Sequence, residues 1–126
     1  MPFFYKIDKE RKLVMSTAAA EFTKADVLLL QDRLRKDPDF DPKSSLLSDL
    51  THVTSMDMTE PEMKDLAERT PFSPTARRAV LASNDLAFKL ARVFEQVLEK
   101  KGDQGIRVFR KLEDALDWIV VKDEST

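Results

Sequence analysis

Residues 46–66 read LLSDLTHVTSMDMTEPEMKDL. The first part is apolar and β-branched and suits a strand, read as Ser45 to Leu50. The last part begins at Thr59 and carries Met63, Leu66 and Ala67 on one side of a helix. Thr59-Glu60-Pro61-Glu62 has the form of a capping box, in which the threonine hydroxyl accepts from the third amide and Glu62 reaches back. Pro61 in the first turn gives up only an amide that needs no helical partner. Strand, connection and helix in this order form one unit of an α/β sheet, where functional groups gather beyond the carboxyl ends of the strands. Asp49 near the strand end, and Asp57 and Thr59 at the helix entrance, are therefore the first site candidates.

The same reading extends in both directions. Phe3 to Ile7 and Leu13 to Ala18 form a hairpin across the charged turn Asp8–Arg11. Thr23 caps a helix to Lys36, with Val27, Leu30 and Leu34 on one face. Pro38 and Pro42 break it. Ala79 to Ala82 is a short apolar strand of the kind buried on both faces. Leu86 to Lys100 is the clearest helix, with a stripe of Leu86, Leu90, Val93, Phe94, Val97 and Leu98, ended by Gly102. Ile106 to Phe109 is the last strand, and Leu112, Ala115, Leu116 and Ile119 mark a final helix before a polar tail, Asp123 to Thr126, expected to fray. The order β-β-α-β-α-β-α-β-α predicts an α/β fold: a mixed sheet with a parallel centre, right-handed crossovers and helices packed on it.

The 126 residues suit one domain spanning 1–126. Apolar residues make up 42% and charged residues 35%, enough for a core under a well-solvated surface. A net charge of −2 argues against a nucleic-acid binder, which needs basic excess. The absence of cysteine excludes disulfides, thiolate metal sites and a cysteine nucleophile. MPFFYKIDKERK lacks the order of a signal peptide, and no apolar run approaches the roughly 20 residues of a membrane span. These features together predict a cytoplasmic protein.

No residue set suggests catalysis, a metal or a cofactor. Asp37, Asp39 and Asp41 resemble the start of a calcium loop, but Pro42 stands where its glycine is needed and Ser48 where its glutamate belongs. They read as a solvated turn. His52 is the only histidine and reads as a loop-surface residue. The two glycines form no phosphate loop. Arg77-Arg78 reads as a solvated strand entrance. Thr59 has two readings: an N-cap, or, with Ser55, a phospho-acceptor at a helix N-terminus beside Asp57. Phe88 falls off the apolar stripe of its helix, among Arg92, Glu95 and Glu99. It reads either as packed under a neighbouring loop or, with Arg92, as a partner or ligand surface. Trp118 lies at the edge of its helix's apolar face, where partial burial is expected.

LLSDLTHVTSMDMT resembles the STAS-domain segment in which a strand ending in aspartate leads to Asp-Ser-Ser-Gly at a helix start. That domain occurs in bacterial anti-sigma factor antagonists and anion transporters. DPDFDPKSSLLSDLTHV, RRAVLASNDLAFKLARVFE and VFRKLEDALDWI resemble more closely the SpoIIAA-like proteins, small bacterial domains, over nearly the whole chain. The resemblance implies a STAS-like mixed sheet flanked by helices. It also aligns Asp57 with the family aspartate, Met58 with the phosphorylated serine, Thr59 with the second serine and Glu60 with the glycine. Methionine accepts no phosphate, so a switch would use Thr59 or Ser55. The implied function is a non-enzymatic regulatory module acting through a protein partner, with a homodimer expected. The alternative is a lipid or other apolar-ligand domain. It is implied by distant kinship to CRAL-TRIO-type lipid carriers and supported by the soft side chains of Met56, Met58 and Met63, with Met58, Phe88 and Arg92 as its surface.

Overall fold

A computed structural model describes residues 3–103 and 105–124. Five strands and four helices alternate as β1 (Phe3–Asp8), β2 (Leu13–Glu21), α1 (Lys24–Lys36), β3 (Ser45–Ser55), α2 (Glu60–Glu68), β4 (Arg78–Leu81), α3 (Asp85–Lys100), β5 (Ile106–Phe109) and α4 (Leu112–Glu124). The order is the expected β-β-α-β-α-β-α-β-α. The strands lie in the sheet as β1-β2-β3-β4-β5; β1 runs antiparallel to β2 and every later pair is parallel.

The two sheet faces are covered unequally. Val14, Leu34, Phe72 and Ala76 pack together on the side of α1, beside a larger cluster that joins Phe3, Ala18, Leu50, Val80 and Leu98. Leu13, Leu47, Ala79, Ala115 and Ile119 form the core beneath α4 on the opposite face. The pleat sends successive strand residues to opposite faces, so Leu46 and Leu47 serve different cores.

The helix ends follow local chemistry. Thr23 caps α1, accepting from the Asp26 amide at 3.2 Å while the Asp26 carboxylate accepts from the Thr23 amide at 3.0 Å. Gly102 ends α3 in the left-handed region at φ 87°, donating to Glu99 while Asp103 donates back to Leu98.

Several expectations are corrected. β3 does not end near Asp49 but continues to Ser55, because the far half of β2 keeps supplying partners: Ala19 to His52, Ala20 to Val53 and Glu21 to Ser55. His52 is therefore an exposed strand residue, not a loop residue. Leu86 falls outside the buried stripe of α3 at 51% exposure, whereas Ala87, Ala91, Glu95, Val97 and Leu98 are buried. α4 takes in Asp123 and Glu124, and residues 125–126 of the expected tail lie outside the described residues.

Candidate functional site

The sheet is short of side-chain bulk at the centre of its α1–α3 face. Tyr5, Ser16, Ser48, Val80 and Val108 are successive register partners across it. The neighbouring row is bulkier, with Ile7, Val14, Leu46, Arg78 and Ile106. Over the two serines lies a cavity of about 140 Å3. Its far walls come from Val27 and Leu30 of α1, Met63 and Leu66 of α2, and Leu90 and Phe94 of α3.

The β3–α2 connection closes one side. Met56 and Met58 are half-buried and line the cavity, whereas Asp57 and Thr59 between and after them are exposed. Met63 joins them on the wall, so all three methionines singled out in the sequence meet there. Few polar groups reach the space. Ser16 and Gln31, each 6% exposed, are buried with it. Gln31 donates from Nε2 to the Leu66 carbonyl at 3.1 Å, tying α1 to α2, and its Oε1 is buried without a hydrogen-bond partner among the described residues.

Thr59 is an N-cap with both halves of the capping box formed. Its Oγ1 accepts from the Glu62 amide at 3.3 Å and donates to the Glu62 carboxylate at 3.0 Å; that carboxylate also accepts from the Thr59 amide at 2.9 Å. The Thr59 amide, then its hydroxyl, hold the Glu62 carboxyl below the ordinary glutamate value. Ser55 is the half-buried last residue of β3 and accepts the Phe22 amide at its carbonyl. Asp49 is a mid-strand residue, and the pleat sends it to the face opposite the cavity, where it accepts from the amide and hydroxyl of Thr51 at 2.9 and 2.6 Å. The connection thus brings together Met58, Asp57 and Thr59 but not Asp49.

Phe88 and Arg92 do not form one open patch. The Arg110 guanidinium lies 4.1 Å above the Phe88 ring, so the β5–α4 turn covers it. Arg92 pairs with Glu95. Glu95, placed with the solvent-facing residues by the helical wheel, is 8% exposed, because its second oxygen accepts the outward amide of edge strand β5 at Val108, 2.9 Å away. Arg78 is likewise no solvated entrance. It is 2% exposed and ion-paired with Asp103, whose carboxylate also accepts the Gly105 amide. Arg77 stacks on Trp118 at 5.0 Å, and Trp118 is half-buried as expected. Two of the three loop aspartates serve the turn, Asp37 accepting the Tyr5 hydroxyl at 2.8 Å and the Asp39 amide and Asp41 accepting the Lys43 amide, while the Asp39 carboxylate pairs with Lys9 at 3.2 Å.

The sequence reading missed Gln31, Ser16 and Ser48, and each left a signal. Gln31 falls between Val27 and Leu34 on the apolar face of α1. Ser16 alternates with Val14 and Ala18, and Ser48 with Leu46 and Leu50, at inward strand positions. A polar residue inside an apolar period is the trace a polar group in a core leaves.

No family model and no curated protein matches the chain. Seven chains of solved structures do. One is an uncharacterised protein of the DUF3478 family, with a SpoIIAA-like fold, from Shewanella loihica PV-4; it is 20% identical, with 93% of each chain covered and a TM-score of 0.58. The shared architecture is a SpoIIAA-like fold. Among the described residues no helix is long and apolar enough to cross a membrane.

Proposed function

We propose, from the premise of a SpoIIAA-like fold, that this chain is a non-enzymatic binding module that holds a small apolar molecule in the cavity beside Met56 and Met58. The observation behind this reading is the cavity itself: an apolar space built by three helices over two serines and closed by methionines, whose flexible thioethers adapt to a guest. Its 140 Å3 is close to an engineered cavity of about 150 Å3 that takes up benzene. That size narrows the ligand from a whole lipid to a compact apolar molecule or the end of one acyl chain. Native mass spectrometry of freshly purified protein should show a retained small molecule, or the protein should take up toluene with a saturable rise in melting temperature. A bare mass together with no toluene response sinks the reading.

A second reading, a regulatory module switched by phosphate, is favoured by the exposure of Asp57 and Thr59 on the same connection. Phosphopeptide mapping of the natively expressed protein tests it: modification at Thr59 or Ser55 supports it, and unmodified peptides under every growth condition tried count against it.

A further inference from the structure

We infer that the ligand of this cavity is a neutral hydroxyl compound, an alcohol or phenol, whose O–H donates to Gln31 Oε1. The inference rests on the apolar-ligand reading above and adds its polar end. Gln31 is buried, and its amide orientation is set by the Leu66 carbonyl, which accepts and so requires Nε2 on its side. Oε1 is thereby left facing no donor among the described residues. An unmet buried acceptor is costly, so the fold gains when a donor arrives.

The charge of the donor follows from the other polar groups of the wall. Ser16, Ser48 and Thr70 are neutral, and the one charged lining residue among those described, Arg78, is committed to Asp103. An ammonium would enter an apolar space beside a guanidinium with no carboxylate among the described residues of the wall to meet it. A carboxylate or phosphate would set negative oxygen against the lone pairs of Oε1. A neutral O–H meets neither penalty, and the apolar wall takes the rest of the molecule.

The test titrates toluene and phenol, close in size and differing in the donor, into the full-length protein and into Gln31→Met. The wild type should prefer phenol over toluene by about fivefold to tenfold more than the variant does, the size of one hydrogen bond. A preference unchanged by Gln31→Met, with toluene still bound, overturns the assignment to Gln31 and leaves the cavity reading intact. Failure of both compounds to bind protein that shows a bare mass overturns both. Should Gln31→Met not fold, the wild type labelled at glutamine supplies the readout: the Gln31 side-chain carbonyl resonance must shift with phenol and not with toluene. Equal shifts, or none, overturn the inference.

Discussion

Ser16 of β2 and Ser48 of β3 are register partners, and together they floor the cavity where their same-face neighbours Val14, Ala18, Leu46 and Leu50 are aliphatic. The space is therefore a property of two small side chains and not of a gap in the backbone. Ser16→Val with Ser48→Val should fill it, raise stability by about 0.5–2 kcal/mol and abolish toluene uptake. Thermal unfolding with and without toluene checks both. A lowered melting temperature would mean the hydroxyls meet partners that valine cannot replace.

Loss of the Thr59 hydroxyl removes one half of the α2 capping box. Thr59→Ala should cost about 1 kcal/mol in urea unfolding, and Thr59→Ser much less. Thr59→Glu should destabilise at least as much as alanine, because it sets a second carboxylate against Glu62. A Thr59→Ala variant as stable as the wild type would show that the cap contributes nothing.

The Glu62 carboxylate gives the cap a pH dependence of known sign. Its carboxyl is held below the ordinary value of 4.5 by the Thr59 amide and then the Thr59 hydroxyl. A lowered native value means stability present above the ordinary value and lost as pH falls through the native one. Asp65, held down first by Lys24 and then by Arg69, and Glu68, held down by Lys101, add in the same direction. The difference in urea midpoint between wild type and Glu62→Gln isolates the one group. It should be steady near neutrality and shrink at acid pH; a constant difference would contradict the argument.

Arg78 and Asp103 are a buried pair, so removing one partner strands the other. Asp103→Ala should cost about 3–5 kcal/mol, and Arg78→Met with Asp103→Leu should recover part of it. Gly105 is held to the same spot by a different constraint, since a Cβ there would lie 2.4 Å from the Ala76 carbonyl and 2.5 Å from Arg78. Gly105→Ala should therefore destabilise by about 1–3 kcal/mol. Denaturant midpoints for the four proteins decide this, and an Arg78→Met/Asp103→Leu variant no more stable than Asp103→Ala would refute the coupling.

Glu95 and Arg92 should behave differently although they form one ion pair. Glu95→Ala leaves the Val108 amide without its acceptor and should cost about 1–3 kcal/mol. Arg92 is about half exposed, and Arg92→Ala should cost under about 1 kcal/mol. Equal effects in chemical denaturation would mean the pair acts only through its charges.

The element order was legible because helices and strands here obey different periods, and because Thr23, Thr59 and Gly102 sit where caps belong. β3 runs past what its own sequence predicts because its continuation depends on β2, a partner that lies across the sheet and not along the chain. Glu95 and Arg78 look solvated in the sequence because a charged residue alone does not disclose its acceptor or donor; an edge amide and an aspartate 25 residues away settle both. The cavity was half legible. The methionines pointed to it, while Gln31 and the two serines, which give it its floor and its polar end, stood as single exceptions within apolar periods.

The sheet order has a consequence for how the molecule can be put together. Each strand lies beside the one that precedes it in the chain, so the sheet can grow by accretion, every new strand meeting an edge already laid down. The cavity would then be assembled in stages. Its serine floor is complete once β3 docks, and α3 arrives late to roof it. In the interval the serine floor stands open to solvent.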